Sequence, residues 1–284
     1  MSKAPIVVGF DGSDSAHRAV LWAVREAARR DVPLTIAHVV ANVDTAQTQA
    51  HLWLTDATSA AGRAAPTVTT TTELLSGHVV DALVAASTRA DTMVLGTRGI
   101  GGFAGLLTGS TAIGVTTRGH CPVVVVRSPG PQVPPPTSGP IVVGVDGGSA
   151  DEATEWAFAE AALRDVPLIA VHTWTEGALG RGWDTVPYAP DFETLNDSMR
   201  GMLAERMTQW REKFPTVRLE LATALDNPAH ALVERSKHAQ LVVVGTRGRG
   251  PVAGVLLGST SHALLHHAAC PVAVVRTASC RRPS

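Results

Sequence analysis

At 284 residues, with 45% apolar and 17% charged side chains and a formal net charge of -1, the chain lies outside the compositions that stay disordered. The charge balance gives no bulk attraction to nucleic acid or to an anionic membrane, so neither is expected as a partner. Three cysteines without a Cys-x-x-Cys pair exclude a disulfide framework.

The start of the chain, MSKAPIVVGF, has no charged segment leading into a long apolar one. No run approaches the roughly 18 apolar residues of a membrane span, and a cytosolic location is expected. Ile6 to Val8 reads as a short buried strand closed by the Asp11-Gly12 turn. Ala16, Ala19, Val20, Ala23, Val24 and Ala27 then form one apolar stripe at helical spacing, with Trp22 expected to pack in the core rather than to stack on a base. Leu34 to Val40 predicts the second strand, and Val68 to Leu75, Met93 to Leu95 and Val123 to Val126 the third to fifth. Pro66 ends the helix before the third strand, because proline cannot donate the next helical hydrogen bond. Cys121, just before the fifth strand, reads as a small buried apolar side chain.

Residues 128 to 140 hold six prolines and no charge, a composition that favours stiff, extended backbone and marks a linker. Beyond it the chain repeats itself. Residues 141 to 174 match residues 6 to 40 almost position for position, which means a duplicated domain. Strands are predicted at Ile141 to Val145, Leu168 to Val171, Val217 to Ala222, Leu241 to Val244 and Val272 to Val275. Trp156 repeats Trp22, Cys270 repeats Cys121, and Pro215 repeats Pro66. The stripe Leu195, Met199, Met202, Leu203, Met207, Trp210 and Phe214 predicts a helix lying on the second sheet. The expected division is a first domain over 1–127, a linker over 128–139, a second domain over 140–277 and a tail over 278–284 that carries Cys280 as an exposed thiol. Alternating strands and helices of this kind build an α/β fold around a parallel sheet.

The loops carry the chemistry. Gly96-Thr97-Arg98-Gly99 is followed by Gly109-Ser110-Thr111, and the pattern returns as Gly245-Thr246-Arg247-Gly248 and Gly258-Ser259-Thr260. Glycine lets backbone adopt positive φ or approach an anion closely, and the opening of a helix presents unpaired N–H groups to phosphate oxygens. Ser110 has a second reading as the plain cap of that helix. No Asp or Glu occurs from Thr92 to Val145 or from Arg235 to the end, so both loops lie in acid-free sequence that carries Arg98, Arg247 and Arg249. Asp11 and Asp146 end the first strand of each half, where a carboxylate can hold a ribose hydroxyl, hold a hydrated magnesium ion, or simply cap a turn. His38 and His172 repeat one another and read as structural, with no metal-ligand spacing near them. No residue is assigned to catalysis or to a resident metal. The G-x-G-x-x-A matches at Gly99 and Gly248 follow the wrong strand for a dinucleotide fingerprint, and no P-loop is present.

The combination of I-V-V-G-x-D-G, Asp-Val-Pro before the second strand, and G-x2-G-x9-G-[ST] before a helix and a Cys-Pro-Val strand resembles the universal stress protein family, in the tandem layout of its actinobacterial members. The resemblance covers both halves. It implies two Rossmann-like domains, each with a five-stranded parallel sheet in the order 3-2-1-4-5 flanked by helices, and ATP as the ligand; Mg2+ beside it stays one of the open readings of Asp11 and Asp146. Carried over residue by residue, Asp11, Gly96, Gly99, Gly109, Ser110 and Thr111 line one site, and Asp146, Gly245, Gly248, Gly258, Ser259 and Thr260 the other; Arg98, Arg247 and Arg249 join them from the charge pattern of the loops, not from the resemblance. Adenine is placed against Val39 or Val40 in the first half and against Thr173 or Trp174 in the second. The resemblance further implies that the apolar fifth strands pair between lobes as an intramolecular pseudo-dimer, with homodimerisation open.

The halves differ. The first is fifteen residues shorter between its second and fourth strands, and what it lacks corresponds to Thr175 to Pro190, a candidate lid. Ile100 and Gly102 are replaced by Arg249 and Pro251, so unequal affinities are expected, with the second site the tighter. The leading reading is a stress-response regulator that binds ATP and changes conformation or partners with little or no hydrolysis. A slow ATPase or phosphoryl- or nucleotidyl-transferring enzyme, and a pairing module without ligand, are the alternatives.

Overall fold

The computed structural model describes residues 3–40, 43–99, 108–130, 132–146, 151–174, 192–246 and 257–276. The first half runs β1 (Ile6–Gly9), α1 (Asp14–Arg30), β2 (Leu34–Val40), α2 (Val43–Ala64), β3 (Thr70–Ser76), α3 (Val79–Ala86), β4 (Thr92–Gly96), α4 (Ser110–Arg118) and β5 (Val123–Val126). The second runs β6 (Ile141–Gly144), α5 (Asp151–Arg164), β7 (Leu168–Trp174), α6 (Phe192–Lys213), β8 (Leu219–Leu225), α7 (Pro228–Ser236), β9 (Leu241–Gly245), α8 (Ser259–His267) and β10 (Val272–Val275). Within each half the strands are parallel in the order 3-2-1-4-5, as the resemblance implies.

Strand β5 pairs antiparallel with β10 in the register Val123–Val274, Val124–Ala273 and Val125–Val272, which joins the two five-stranded sheets into one of ten strands. Four consecutive buried apolar residues in each, all valine but for Ala273, leave no polar face, so each of these strands covers its edge with the other. Period-2 alternation sends Ile6 and Val8 to the face covered by α1 and α2 and Val7 to the face covered by α3 and α4, and β6 repeats the division. Each apolar cluster continues without a break from one lobe into the other.

All six apolar residues of the α1 stripe are buried. In α6, Leu203, Met207 and Trp210 are buried, but Met202 is 59% exposed. One residue is about 100° of helical turn, so Met202 leaves the stripe that Leu203 keeps. The third strands begin two residues later than expected, at Thr70 and Leu219. Val68 and Val217 close the turn leaving the preceding helix, bonding to Ala65 and Phe214.

Two charged features hold the lobes together. Glu26 is fully buried and Glu160 is 2% exposed. Arg30 bonds Glu26 at 2.9 Å within its own helix and reaches Glu160 across the lobes, while Arg164 bonds Glu160 at 3.1 Å and reaches Glu26 at 2.7 Å. Each arginine also lies over the other lobe's tryptophan, Arg30 5.3 Å from the Trp156 ring and Arg164 5.5 Å from Trp22. Farther along the seam, Arg127 Nε donates to the Ala268 carbonyl at 2.7 Å and Arg276 Nη1 donates to the Gly119 carbonyl at 2.7 Å. Each arginine thereby satisfies a carbonyl at the C-terminal end of the other lobe's last helix.

Candidate functional site

In the first lobe a cavity of about 410 Å³ opens at the carboxyl ends of β1, β2 and β4. One wall is Gly9 to Asp11, a second is Ala37 to Val39, a third is Gly96 to Gly99, and Gly109 to Ala112 close the end. Adjacency of β1 and β4 brings the two glycine segments beside Asp11, where ligands of open α/β sheets bind. Ligand pockets commonly enclose about 300–1,000 Å³, so the volume suits a nucleotide-sized molecule.

The rim is built by short polar contacts. Asp11 Oδ1 accepts from Ser13 N at 3.1 Å, which closes the turn, and Gly12 within it has φ of 85°, a value that favours glycine. Ser13 caps α1 by accepting from Ala16 N at 3.2 Å and donates its hydroxyl to the Arg98 carbonyl at 3.1 Å. Ser15 Oγ accepts from Thr97 N at 2.7 Å and from Arg98 N at 3.3 Å. The glycine loop is thus stitched to the start of α1 by two serines that motif reading passed over.

This alters the expected division of labour. Neither Gly96 nor Gly99 has positive φ, so close approach is what requires them. A Cβ on Gly96 would lie 2.7 Å from the Ser15 carbonyl carbon, and one on Gly99 would meet Asp11 Oδ2. The amides of Thr97 and Arg98 are occupied by Ser15, so the backbone donors left for an anion among the described residues include those opening α4. Gly109 is the N-cap of α4, extended at φ -73° and ψ 152°, and its own N–H bonds the Thr97 carbonyl at 2.7 Å. Ser110 is therefore not the cap: it stands one residue late, exposed at the first helical position. Glycine brings no side chain to the first-turn amides of Ser110, Thr111 and Ala112, which face the cavity end with the positive pole of the helix. Among the described lining residues Asp11 is the sole carboxylate and Arg98 the sole guanidinium.

Of the two strand-end candidates, Val39 lines the cavity and Val40 does not. Successive side chains on a strand point to opposite faces, and Val40 is buried among the core residues. His38 Nδ1 bonds the Phe10 carbonyl at 2.7 Å and His172 Nδ1 the Val145 carbonyl at 2.8 Å, each holding the end of its lobe's first strand.

The second lobe repeats the frame where it is described. Gly258 caps α8 at φ -62° and ψ 151°, and its N–H bonds the Thr246 carbonyl at 2.8 Å. Ser259 opens the helix exposed and Thr260 is half-buried beside it, as are Ser110 and Thr111 in the first lobe. Gly245 ends β9, and its carbonyl accepts from Ser261 Oγ at 2.8 Å. Arg206 of α6 donates to the Asp146 carbonyl at 2.8 Å, a cation the first lobe does not repeat. Thr173 occupies the position matching Val39 and is half-buried on β7, while Trp174 is buried like Val40. Arg247, Gly248 and Arg249, the exchanges at 100 and 102, and the proposed lid at Thr175 to Pro190 lie outside the described residues, as does Cys280. Cys121 and Cys270 are buried, and burial pushes both thiols up to about 12, so they remain protonated packing groups.

The universal stress protein family matches residues 4–127 and again residues 138–276. A universal stress protein of Mycobacterium tuberculosis is 37% identical over 97% of both chains. Among solved structures, a universal stress protein from Archaeoglobus fulgidus superposes with a TM-score of 0.68 at 17% identity, covering 96% of this chain and 99% of its own. A universal stress protein solved in complex with cAMP is 33% identical, covers 45% of this chain and 98% of its own, and superposes with a TM-score of 0.37.

Proposed function

The chain belongs to the universal stress protein family, and from that premise we propose that it is an ATP-binding regulator of the stress response, acting in the cytosol through nucleotide-dependent conformation or partner choice. The observation that carries the reading is the start of α4, free of a side-chain cap, at the end of a cavity whose described lining holds a single carboxylate. The triphosphate tail lies along Gly96 to Gly99 and ends on the first-turn amides of α4, with Arg98 at the rim. Asp11 holds the ribose hydroxyls or a hydrated Mg2+, and Val39 receives the adenine. Thr173, Gly245, Gly258, Ser259 and Thr260 repeat these parts around Asp146 in the second lobe. Hydrolysis is slow in this reading, because Asp11 is the sole carboxylate among the described lining residues and already accepts from Ser13 N.

Denaturing the purified protein and weighing the released nucleotide is expected to identify ATP. Titration of nucleotide-free protein should raise the melting temperature with ATP concentration. Asp11→Ala should weaken the first site at least tenfold and leave the second. Protein that carries no nucleotide and shows no ATP-dependent thermal shift would overturn the reading.

A further inference from the structure

Helix α8 carries three histidines that the nucleotide site does not use. His262 and His266 are four residues apart, so they lie one above the other on the same helical face. Their ring centroids are 4.6 Å apart and the rings are inclined by 38°. His267 points elsewhere, 6.1 Å from His266. The matching positions of α4 hold Ile113, Thr117 and Arg118, so the pair belongs to the second lobe alone.

Two observations bear on what the pair does. His266 Nε2 is buried and has no hydrogen-bond partner among the described residues, which is costly for a ring nitrogen. The second is distance. An ion about 2.1 Å from an imidazole nitrogen is roughly 3.2 Å from that ring's centroid, so two ligands about 90–110° apart at the ion set their centroids about 4.5–5.2 Å apart. The observed 4.6 Å lies in that interval.

We propose that His262 and His266 form a two-nitrogen chelate for a divalent transition ion of the copper, nickel or zinc class on α8. Imidazole pairs favour these ions over Mg2+ or Ca2+, which demand oxygen ligands. Among the described residues no group of three or more His, Cys, Asp or Glu is placed to hold a metal, so water completes the coordination. The charge of Arg127 opposes an added cation, and both factors set the affinity in the micromolar range rather than that of a closed structural site. His262 is exposed and gives the ion its route of entry. Arg127 also bonds the Leu265 and Ala268 carbonyls at 2.5 and 2.7 Å, so the chelate stiffens the same turn that the first lobe holds.

The test uses the full chain, freed of nucleotide and metal, titrated separately with Zn2+ and Cu2+ by calorimetry and by melting temperature. One site per chain is expected, weakened at least tenfold by His262→Ala or His266→Ala and unchanged by His267→Ala, with Cu2+ showing coupling to two nitrogens by electron paramagnetic resonance. His266→Gln, which keeps the bulk of the side chain, supplies the same readout if the alanine variant folds poorly. Binding unaltered in the His262→Ala, His266→Ala double variant, or no saturable binding at millimolar ion, would overturn the proposal.

Discussion

Gly96→Ala is expected to remove one nucleotide site per chain and to lower the stability of the first lobe by about 1–3 kcal/mol, the usual cost of forcing a methyl into packed structure. The new Cβ would lie 2.6 Å from Ser15 Oγ and 2.7 and 2.8 Å from the Ser15 carbonyl carbon and oxygen. Backbone cannot rotate away as a side chain does. Ser15 is fixed because it opens α1 beside buried Ala16 and ties Thr97 and Arg98 through its hydroxyl. Separating β4 from α1 therefore breaks the two bonds that shape the loop. Gly109→Ala is the contrasting case. Its Cβ would lie 3.5 Å from the Thr97 carbonyl oxygen, an ordinary contact, and its φ of -73° is open to any residue. Calorimetry should find the nucleotide affinity of the Gly109 variant within about twofold of the parent's, because alanine is a poorer N-cap than glycine but no side-chain cap bond is lost. Equal binding by the Gly96 variant and the parent would mean that the loop next to Ser15 takes no part in holding the ligand.

The strands were legible because both faces of the sheet are covered, so runs such as Val123 to Val126 stand out whatever lies around them. Strand order came from the resemblance, since periodicity says nothing about which strands neighbour one another. That the glycine segments of the first lobe meet at one cavity was legible, but the geometry within them was not. Gly109 as cap and Ser110 as first helical residue differ by one position from the alternative reading of Ser110 as cap, and only backbone dihedrals decide it. Ser13 and Ser15 escaped notice because their partners lie more than eighty residues away. The seam left a trace that went unread. Glu26 and Arg30 recur as Glu160 and Arg164, four residues apart in each case, on helices whose stripe is otherwise apolar. Charged residues repeated inside a buried face mean partners across an interface.

That seam carries the largest expected loss of stability. Glu26→Ala is expected to cost about 3–5 kcal/mol, because it leaves Arg30 and Arg164 buried with less negative charge than they need. Melting should fall by about 2–4 °C for each kcal/mol in a chain of this size. The pH dependence follows from the two carboxylates separately. Burial raises Glu160, to about 7, with the nearby Glu26 adding to the effect and the two arginines opposing it. Burial also disfavours the charge on Glu26, but Arg164 and Arg30 outweigh it and hold that residue below its ordinary 4.5. Between 4.5 and about 7 the folded chain binds more protons at Glu160 than the unfolded chain does, so this contribution is present below that window and declines as pH rises through it. Glu26 has the opposite sign, its contribution being present above 4.5 and lost as pH falls through its lowered value. Glu160→Gln removes the first term and keeps a side chain able to bond the arginines. The difference in melting temperature between the parent and Glu160→Gln should therefore favour the parent more at about pH 5 than at about pH 8. His266, held below its usual range, gives both proteins the same opposite slope and cancels in that comparison. A difference that stays constant across the range would show that Glu160 exchanges no proton on folding, and that the tetrad is held by fixed charges alone.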